Sequence, residues 1–469
     1  MAAESEKISR SAWTTLVILS CLGLVAMYTE TMILPAIPDF IKDFDITYNT
    51  SSWILSSYLI AGAVATPIVG KLSDVYGKKK MLLIIMAVYS SGIVAGGLAN
   101  SFPVMIMARI AQGMGISMFP IAFGIIREVL PEKKLAIGQT LFSSTFSGGA
   151  VVGLLVGASI IQNYGWHATF FSILPVAVIL AFVILRFIHV KEQRIEAKPQ
   201  IDLRGAFALA STVVSFLVGI SYLEQGMDSS FEFAGLFGIT AISLGLFIAI
   251  EKRAKAPLVD LHLMTHRRLL PATLILLIVG MCTFMVYQTI PILIRSPQPL
   301  GFGGDALVVA AVQLPFMIIL LVGTVLSGFV LNKIGNTRLT AIGTIVGMIG
   351  FVSLLLFHST EYMIGVTLAI IAAGLSLAFV GGFNIVLLSA PIESTGIALG
   401  MTLLLNLVGQ SIGPSLAGMY QQMHQGVIQG IPDRFPTTEA YDLIFLSATL
   451  ISLTAVVLAL ALNRRKITV

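Results

Sequence analysis

Two charged side chains of opposite sign, Glu30 and Arg109, lie inside long apolar stretches of the sequence. Ionisable groups in apolar segments are costly to desolvate and usually serve a function. A carboxyl group there can bind or release a proton, and a guanidinium is a permanent cation that could pair with it. Counted from the outer ends of the two predicted spans at a rise of about 1.5 Å per residue, both lie roughly 10 Å inside the outer boundary. This similar depth predicts either a pair that exchanges its contact for a proton or a static structural pair.

Neutral polar side chains in the apolar stretches form a second group of candidates. Gln112 follows Arg109 by three residues and so lies on about the same face of a helix. Such a group bonds to a neighbouring helix or contacts a polar ligand, and the sequence leaves both alternatives open. The candidates for lining a cavity are Thr31, Tyr58, Gln112, Gln313, Asn384 and Asn406.

The composition of the chain indicates an all-α polytopic membrane protein. Hydrophobic residues make up 57% of the chain and charged residues 11%, with a mean hydropathy of +0.95, whereas about a quarter of the residues in a soluble protein are charged. A membrane-spanning helix needs about 20 apolar residues. Fourteen spans are predicted near 14–38, 52–70, 81–99, 103–126, 137–161, 168–189, 205–223, 232–250, 269–294, 306–331, 338–357, 362–388, 396–419 and 441–462.

The distribution of basic residues predicts the orientation of these spans. With a cytoplasmic N-terminus, 24 of the 28 lysines and arginines fall on the cytoplasmic side, as the positive-inside tendency requires. Apart from Arg109 within a span, the exceptions are Lys42, Arg295 and Arg434. We therefore expect a multi-pass protein of the cell membrane with both termini in the cytoplasm and no cleavable signal. The net charge of +5 reflects topology, and no nucleic-acid partner is expected.

A short hairpin occurs twice and divides the chain into related halves. The segment Gly70–Lys80 recurs at Gly328–Arg338, 258 residues later, with Asn332 in place of Asp74. An internal repeat of this kind is typical of transport proteins built from duplicated halves. The predicted boundaries are a six-span bundle at 1–190, a linker with two additional spans at 191–268 and a second six-span bundle at 269–469.

Several motifs resemble those of the major facilitator superfamily, in particular its fourteen-span drug:proton antiporters. Gly70, Leu72, Asp74, Gly77 and Lys78 resemble the loop motif between the second and third spans. The segment Arg109–Gly115 is similar to the family's R-x-x-Q-G-x-G, and Asp202–Gly205 to its D-x-x-G motif. Two positions depart from the family pattern. Leu154 stands where the antiporter motif has proline, and Thr29 occupies the acidic position of the first span, one residue before Glu30.

The resemblance implies a major facilitator fold with two six-helix bundles and two extra central spans. It also implies a secondary active transporter that exports amphipathic or lipophilic drug-like compounds in exchange for protons by alternating access. Its partners would be a small-molecule substrate, protons and membrane lipid, and a monomer is expected. An alternative is proton-coupled or facilitative transport of a specific metabolite, such as an organic acid or siderophore. An exposed Glu30 would favour cations and an exposed Arg109 anions, and the sequence does not decide between them.

No enzymatic chemistry is expected from the sequence. It lacks an HExxH motif, a phosphate-binding loop with a following lysine, and clusters of cysteine and histidine, which are the usual signatures of metal or nucleotide chemistry. We therefore expect no cofactor and no metal site.

The first hairpin is the predicted conformational gate, with Gly70, Asp74, Gly77 and Lys78 as its residues. Asp74 could accept hydrogen bonds from a neighbouring helix N-terminus or pair with a basic residue. The lysines could instead serve only to orient the chain in the membrane.

Asp74→Ala should impair transport much more than Asn332→Ala, because only the first hairpin carries a carboxylate for charge-assisted contacts. Efflux from cells at matched expression measures the difference. Equal losses in the two variants would show that the shape of the loop matters and the charge does not.

Overall fold

The computed structural model describes residues 9–131, 134–188, 202–222, 230–254, 257, 267–390 and 395–464, and these are almost entirely helical. Because lipid cannot hydrogen-bond to peptide groups, a helix that satisfies its own backbone is the expected conformation. The N-terminal helices are α1 (Arg10–Thr31), α2 (Ile37–Asp43), α3 (Tyr48–Tyr76), α4 (Lys78–Gly97), α5 (Phe102–Gly113), α6 (Met118–Val129), α7 (Leu135–Tyr164) and α8 (Trp166–Phe187).

Two further helices separate this group from the C-terminal helices. They are α9 (Leu203–Tyr222) and α10 (Ser230–Glu251). The C-terminal helices are α11 (Leu269–Arg295), α12 (Ala306–Ile334), α13 (Asn336–Leu356), α14 (Glu361–Ser389), α15 (Thr395–Met423) and α16 (Thr438–Arg464). A short antiparallel hairpin of β1 (Gln425–Val427) and β2 (Arg434–Pro436) lies between α15 and α16.

Short 3₁₀ segments join two pairs of N-terminal helices into longer units. Leu34–Ala36 connects α1 to α2, and Met114–Ser117 connects α5 to α6. Pro35 lies in the first of these segments, where its missing N–H and fixed φ interrupt the regular α-helix. Each pair therefore forms one long helical unit, in which a 3₁₀ segment separates the two α-helices.

Twelve helical segments of the described residues are long and apolar enough to cross a membrane. The fourteen spans predicted from the sequence are thus not confirmed. Two of the predicted spans, 137–161 and 396–419, have no counterpart among these twelve segments. They correspond to α7 and α15. In α7 the apolar segment Gly148–Tyr164 is shorter than the length needed for a span. In α15 polar residues such as Asn406, Gln410 and Gln421 lower the mean hydropathy. The predicted linker residues 191–201 and 258–266 lie outside the described residues.

Both copies of the repeated hairpin form the same turn between helices. Gly77 separates α3 from α4 with a φ of 93°, and Gly335 separates α12 from α13 with a φ of 81°. Glycine adopts positive φ without the clash that a Cβ would cause, which explains why the two copies share this residue. The side chains of Asp74 and Asn332 lie outside the described residues.

Glycines allow neighbouring helix backbones to touch at two places in the bundle. On α7, Gly153 faces α1, where a Cβ would lie 2.6 Å from the carbonyl oxygen of Tyr28. On α14, Gly374 faces α13, where a Cβ would lie 2.1 Å from the backbone nitrogen of Gly347. In lipid, helices associate through van der Waals contact, so small residues at such crossings are needed for tight packing.

The two ends of the helix bundle differ in their polar contacts. At one end, which we call the basic end, Lys78 pairs with Glu128 and Lys79 Nζ donates to the carbonyl oxygen of Leu185 (2.7 Å). The opposite end, which we call the distal end, contains Asp39 and Arg295.

Gly374→Ala should lower the stability by about 1–3 kcal/mol, because the added methyl group meets rigid backbone that cannot move aside. Gly245→Ala is the matched control, since a Cβ at that position of α10 meets nothing within 4 Å. The midpoint of thermal unfolding in detergent provides the measurement. Equal midpoints for the two variants would contradict backbone contact between α13 and α14.

Candidate functional site

Arg109 of α5 is completely buried and is bound by neighbouring helices. Its Nε donates to the carbonyl oxygen of Ile54 in α3 (2.9 Å), and its Nη1 donates to Gln112 Oε1 (2.8 Å). The guanidinium carbon lies 4.3 Å from the centre of the Tyr58 ring, a geometry that favours a cation–π interaction. Nη2 is buried and has no hydrogen-bond partner in the described part of the chain. Arg109 thus joins α5 to α3 and retains one unused donor group.

Gln112 extends this set of contacts to a third helix. Its side chain is fully buried, and its Nε2 donates to the carbonyl oxygen of Gly92 in α4 (2.8 Å). A single orientation of the Gln112 amide therefore lets its oxygen accept a hydrogen bond from Arg109 and its nitrogen donate one to α4. The sequence left open whether Gln112 bonds to a neighbouring helix or contacts a ligand, and in the structure it bonds to a neighbouring helix.

Glu30 of α1 is partly exposed, on the same helix face as the partly exposed Leu24 and Met27. Within the described residues no ion pair connects it to Arg109, whose donors bind Ile54 and Gln112 instead. The two charges nevertheless lie near enough to interact electrostatically, and Glu30 interacts in the same way with Tyr287 of α11. The carboxyl group is therefore close to both the N-terminal and the C-terminal helices.

Thr29 and Thr31, on either side of Glu30, are engaged in structural hydrogen bonds. Thr29 bonds to the hydroxyl group of Tyr89 and donates to the carbonyl oxygen of Val25 (3.0 Å). Thr31 donates to the carbonyl oxygen of Ala150 in α7 (3.0 Å). Of this trio, only the carboxyl group of Glu30 faces the partly exposed side of α1.

The candidates of the C-terminal helices differ in how their polar atoms are satisfied. Asn406 Nδ2 donates to the carbonyl oxygen of Leu276 (2.7 Å) and so ties α15 to α11. Asn384 Nδ2 donates to the carbonyl oxygen of Val380 in its own helix (2.8 Å). Gln313 is buried, and neither amide atom has a partner within the described residues. Of these three, Gln313 alone keeps both hydrogen-bonding groups available.

Gln313 lines a small cavity together with Thr283, Tyr287 and Phe316. The cavity has room for about one water molecule. The ring centre of Tyr287 lies 6.0 Å from that of Phe316 and 5.5 Å from that of Phe284. An amide beside a cluster of aromatic rings can bind a compound that has both apolar and polar parts.

The sequence did not identify Tyr287 or Tyr89 as candidates. Tyr287 is four residues after Thr283 and three before Ile290, and all three line the cavity. This helical spacing of a hydroxyl group, a phenol and an apolar residue was the available signal. Tyr89 offered no comparable signal, because its contact with Thr29 depends on the packing of α4 against α1.

No cluster that could hold a metal ion occurs within the residues that the structure describes. The two cysteines, Cys21 and Cys282, are free, and Cys282 is buried.

The comparison with known families agrees with this arrangement. Residues 19–414 match the family profile described as Major Facilitator Superfamily. The chain belongs to the major facilitator superfamily. It is accordingly a membrane transporter for small molecules and not an enzyme.

Bacterial proteins whose names refer to multidrug resistance are similar to this chain. Multidrug resistance protein 3 of Bacillus subtilis is 26% identical over 386 residues, covering 81% of this chain and 73% of that protein. Multidrug resistance protein Stp of Mycobacterium tuberculosis is 25% identical over 388 residues, which cover 81% of this chain and 70% of that protein.

The human organic anion transporter MFSD10 has the same fold. Its structure matches with a TM-score of 0.66 at 13% identity, over 96% of this chain and 99% of that one.

Arg109→Lys should lower both stability and transport in this member of the superfamily. Lysine keeps the charge but cannot donate to Ile54 and Gln112 with one planar group, and the lost hydrogen bonds correspond to about 1–3 kcal/mol. Tyr58→Phe keeps the ring under the cation and should behave nearly as the parent. Thermal unfolding and efflux assays would measure both. A parent-like Arg109→Lys would show that the hydrogen bonds of the guanidinium contribute little.

Proposed function

We propose that the protein exports lipophilic compounds that carry a positive charge and exchanges them for protons by alternating access. The observation that carries this proposal is the contrast between the two intramembrane charges. Glu30 is partly exposed, whereas Arg109 is completely buried. A compound that enters between the N-terminal and C-terminal helices would meet a carboxyl group first.

The surroundings of Glu30 suit a cationic, apolar compound. Tyr287 lies near the carboxyl group and belongs to a cluster with Phe284 and Phe316. Aromatic faces attract organic cations, and the flexible side chain of Met317 beside Tyr287 can adjust to ligands of different shape. Gln313 would supply a hydrogen bond to a neutral polar group of the substrate.

The burial of Arg109 argues against the alternative substrate class. An organic acid or a siderophore would need an accessible cation, but the guanidinium donates to Ile54 and Gln112 and has no exposed surface. Transport of a specific anionic metabolite is therefore the less supported function. The names of the bacterial relatives, which refer to multidrug resistance, also favour the export of drug-like compounds.

Competition for Glu30 is the proposed basis of coupling. A carboxyl group can hold a proton or interact with a substrate cation, and two ligands that exclude each other from one site are thermodynamically coupled. Binding of a proton from one side and of substrate from the other would then alternate during the cycle.

The remaining features of the proposal concern organisation in the membrane. We propose the fourteen-span arrangement, with α7 and α15 as spans in addition to the twelve, in the cell membrane with both termini in the cytoplasm. The proposed units are 1–190, 191–268 and 269–469, acting as a monomer. The hairpin around Asp74 and Lys78 would open and close the cytoplasmic side.

Glu30→Gln should retain substrate binding but lose most of the response of transport to an imposed pH gradient, because the amide keeps nearly the same volume and cannot titrate. Everted membrane vesicles tested with a panel of lipophilic cationic dyes at several pH gradients provide the measurement. Glu361→Gln is the matched control, since Glu361 lies in the first turn of α14 and away from Glu30.

Glu30→Gln that responds fully to the pH gradient would contradict the assignment of coupling to Glu30. Selective transport of an organic anion by the parent protein, without transport of cationic dyes, would establish the alternative function instead.

A further inference from the structure

Two neighbouring lysines near the start of α4 border an open groove on the surface of the bundle. The groove has a volume of about 500 Å³ and is lined by Lys79, Lys80, Leu83, Ile84 and Ala87. Residues three or four positions apart lie on one face of a helix, so the three apolar side chains follow directly after the lysines along that face. The groove therefore has a cationic end and an apolar wall.

The positive charges of the two lysines remain available for a ligand. Lys78, the residue before them, forms an ion pair with Glu128. Lys79 Nζ donates to the carbonyl oxygen of Leu185 in α8 (2.7 Å), and this neutral acceptor does not compensate the charge. Lys80 is exposed, and among the residues that the structure describes no carboxylate pairs with either lysine. Because a lysine ammonium has three N–H groups, both side chains can donate to an anion.

An exposed stripe continues from the second lysine along the whole of α4. Its members recur every three or four residues and are Lys80, Ile84, Ala87, Ser91, Val94 and Leu98. The hydroxyl group of Ser91 donates to the carbonyl oxygen of Val88 (2.7 Å), so its polarity is satisfied within the helix. The rest of the stripe beyond the lysine is apolar, which suits contact with the acyl chains of lipids.

The length of the groove matches one leaflet of a bilayer. From Lys79 to Ala87 the helix rises about 12 Å, at about 1.5 Å per residue. Half of a hydrocarbon core that is about 30 Å thick is about 15 Å. A lipid whose phosphate group lies at the two ammonium groups would therefore place most of one acyl chain against the apolar residues of the groove.

Helix α8 extends the apolar surface beside α4. The two helices meet near the distal end, where a Cβ on Gly97 would lie 2.9 Å from the ring of Phe171. Val178 and Phe182 follow Phe171 by seven and eleven residues, so they lie on the same face of α8, and both are exposed. A lipid beside α4 would thus also find apolar side chains on the neighbouring helix.

The repeated half of the chain provides an internal comparison. At the offset of 258 residues, Thr337 and Arg338 correspond to the two lysines. Thr337 Oγ1 donates to Asn463 Oδ1 (3.3 Å), so this position connects α13 with α16 and carries no charge. Arg338 is exposed, as is Ile342 one turn later. The second half therefore has an apolar face with a single cation, and the pair of cations belongs to the first half.

We infer that the groove of Lys79, Lys80, Leu83, Ile84 and Ala87 binds an anionic phospholipid of the surrounding membrane. The phosphate oxygens accept charge-assisted hydrogen bonds from the two lysines, and an acyl chain lies along the apolar residues. Basic pockets beside transmembrane helices are suited to the headgroups of anionic lipids. The inference concerns a lipid site outside the proposed path of the substrate, and it does not require proton coupling.

The shape of the groove separates this role from two simpler ones. Lysines that only orient the chain in the membrane need positive charge but no particular shape. A soluble phosphate compound could bind to the lysines, but it would leave the apolar wall uncovered. An anionic phospholipid uses both parts of the groove.

Displacement of a fluorescent lipid tests the inference on the purified full-length protein in a neutral detergent. Phosphatidylglycerol that carries a fluorophore is bound first. It is then displaced by unlabelled phosphatidylglycerol, by phosphatidylcholine or by glycerol 3-phosphate. Phosphatidylglycerol should be the best competitor, on the order of tenfold better than the other two, because it alone combines a net negative charge with acyl chains.

Substitutions in the groove should change this affinity selectively. Lys79→Gln combined with Lys80→Gln should weaken the binding of phosphatidylglycerol on the order of tenfold, since both cations are lost. Lys79→Arg combined with Lys80→Arg should retain the binding. Ala87→Trp fills the apolar part of the groove, keeps both lysines and should also weaken the binding. Arg338→Gln is the matched control and should bind as the parent does.

Thermal unfolding without added lipid identifies the variants that remain folded. Parent-like binding by the folded double glutamine variant, or an equal loss in Arg338→Gln, would overturn the inference. If the double glutamine variant does not fold, parent-like binding by Ala87→Trp would overturn it instead. Equally good displacement by phosphatidylcholine would show that the charge of the lipid plays no part. Equally good displacement by glycerol 3-phosphate would identify a site for soluble phosphates. The assay contains neither substrate nor a pH gradient, so its result is separate from the test of Glu30.

Discussion

A guanidinium that is completely shielded from water must find its hydrogen bonds inside the protein, and Arg109 does so in a way that organises the N-terminal helices. Its bonds to Ile54 and Gln112 connect α5 with α3, and Gln112 carries the connection to Gly92 of α4. Burying this charge is acceptable only because the set of contacts is nearly complete. With Arg109 bound in this way, Glu30 remains the intramembrane charge with accessible surface.

Satisfied and unsatisfied polar groups are distributed unequally along the bundle. Contacts inside each group of helices are largely complete, as for Thr31 with Ala150 and Asn406 with Leu276. Within the described residues, buried polar atoms without partners occur at Gln313 beside the cavity, at Gln288, Ser415 and Gln421 toward the distal end, and also at Arg109 Nη2. Water or a polar substrate that reached these atoms would satisfy hydrogen bonds that the protein leaves open.

The sequence was informative where a physical signal depends on one segment alone. Apolar length located the twelve described segments that are long and apolar enough to cross a membrane, and the repeated hairpin predicted the matching turns at Gly77 and Gly335. The superfamily suggested by the motifs is confirmed by the match over residues 19–414. The direct contact of Glu30 with Arg109 is not formed, because depth along a helix does not determine how the helix is rotated. Neither Tyr287 nor the pair of Asp39 and Arg295 could be found without tertiary packing.

The central claim is that a proton and a cationic substrate compete for the carboxyl group of Glu30. Proton release on substrate binding tests this most directly, with purified protein in weakly buffered detergent solution and a pH indicator. Addition of a lipophilic cation at slightly acidic pH should release protons from the parent protein, and Glu30→Gln should bind the same compound without releasing them. Equal proton release by parent and Glu30→Gln would contradict the account.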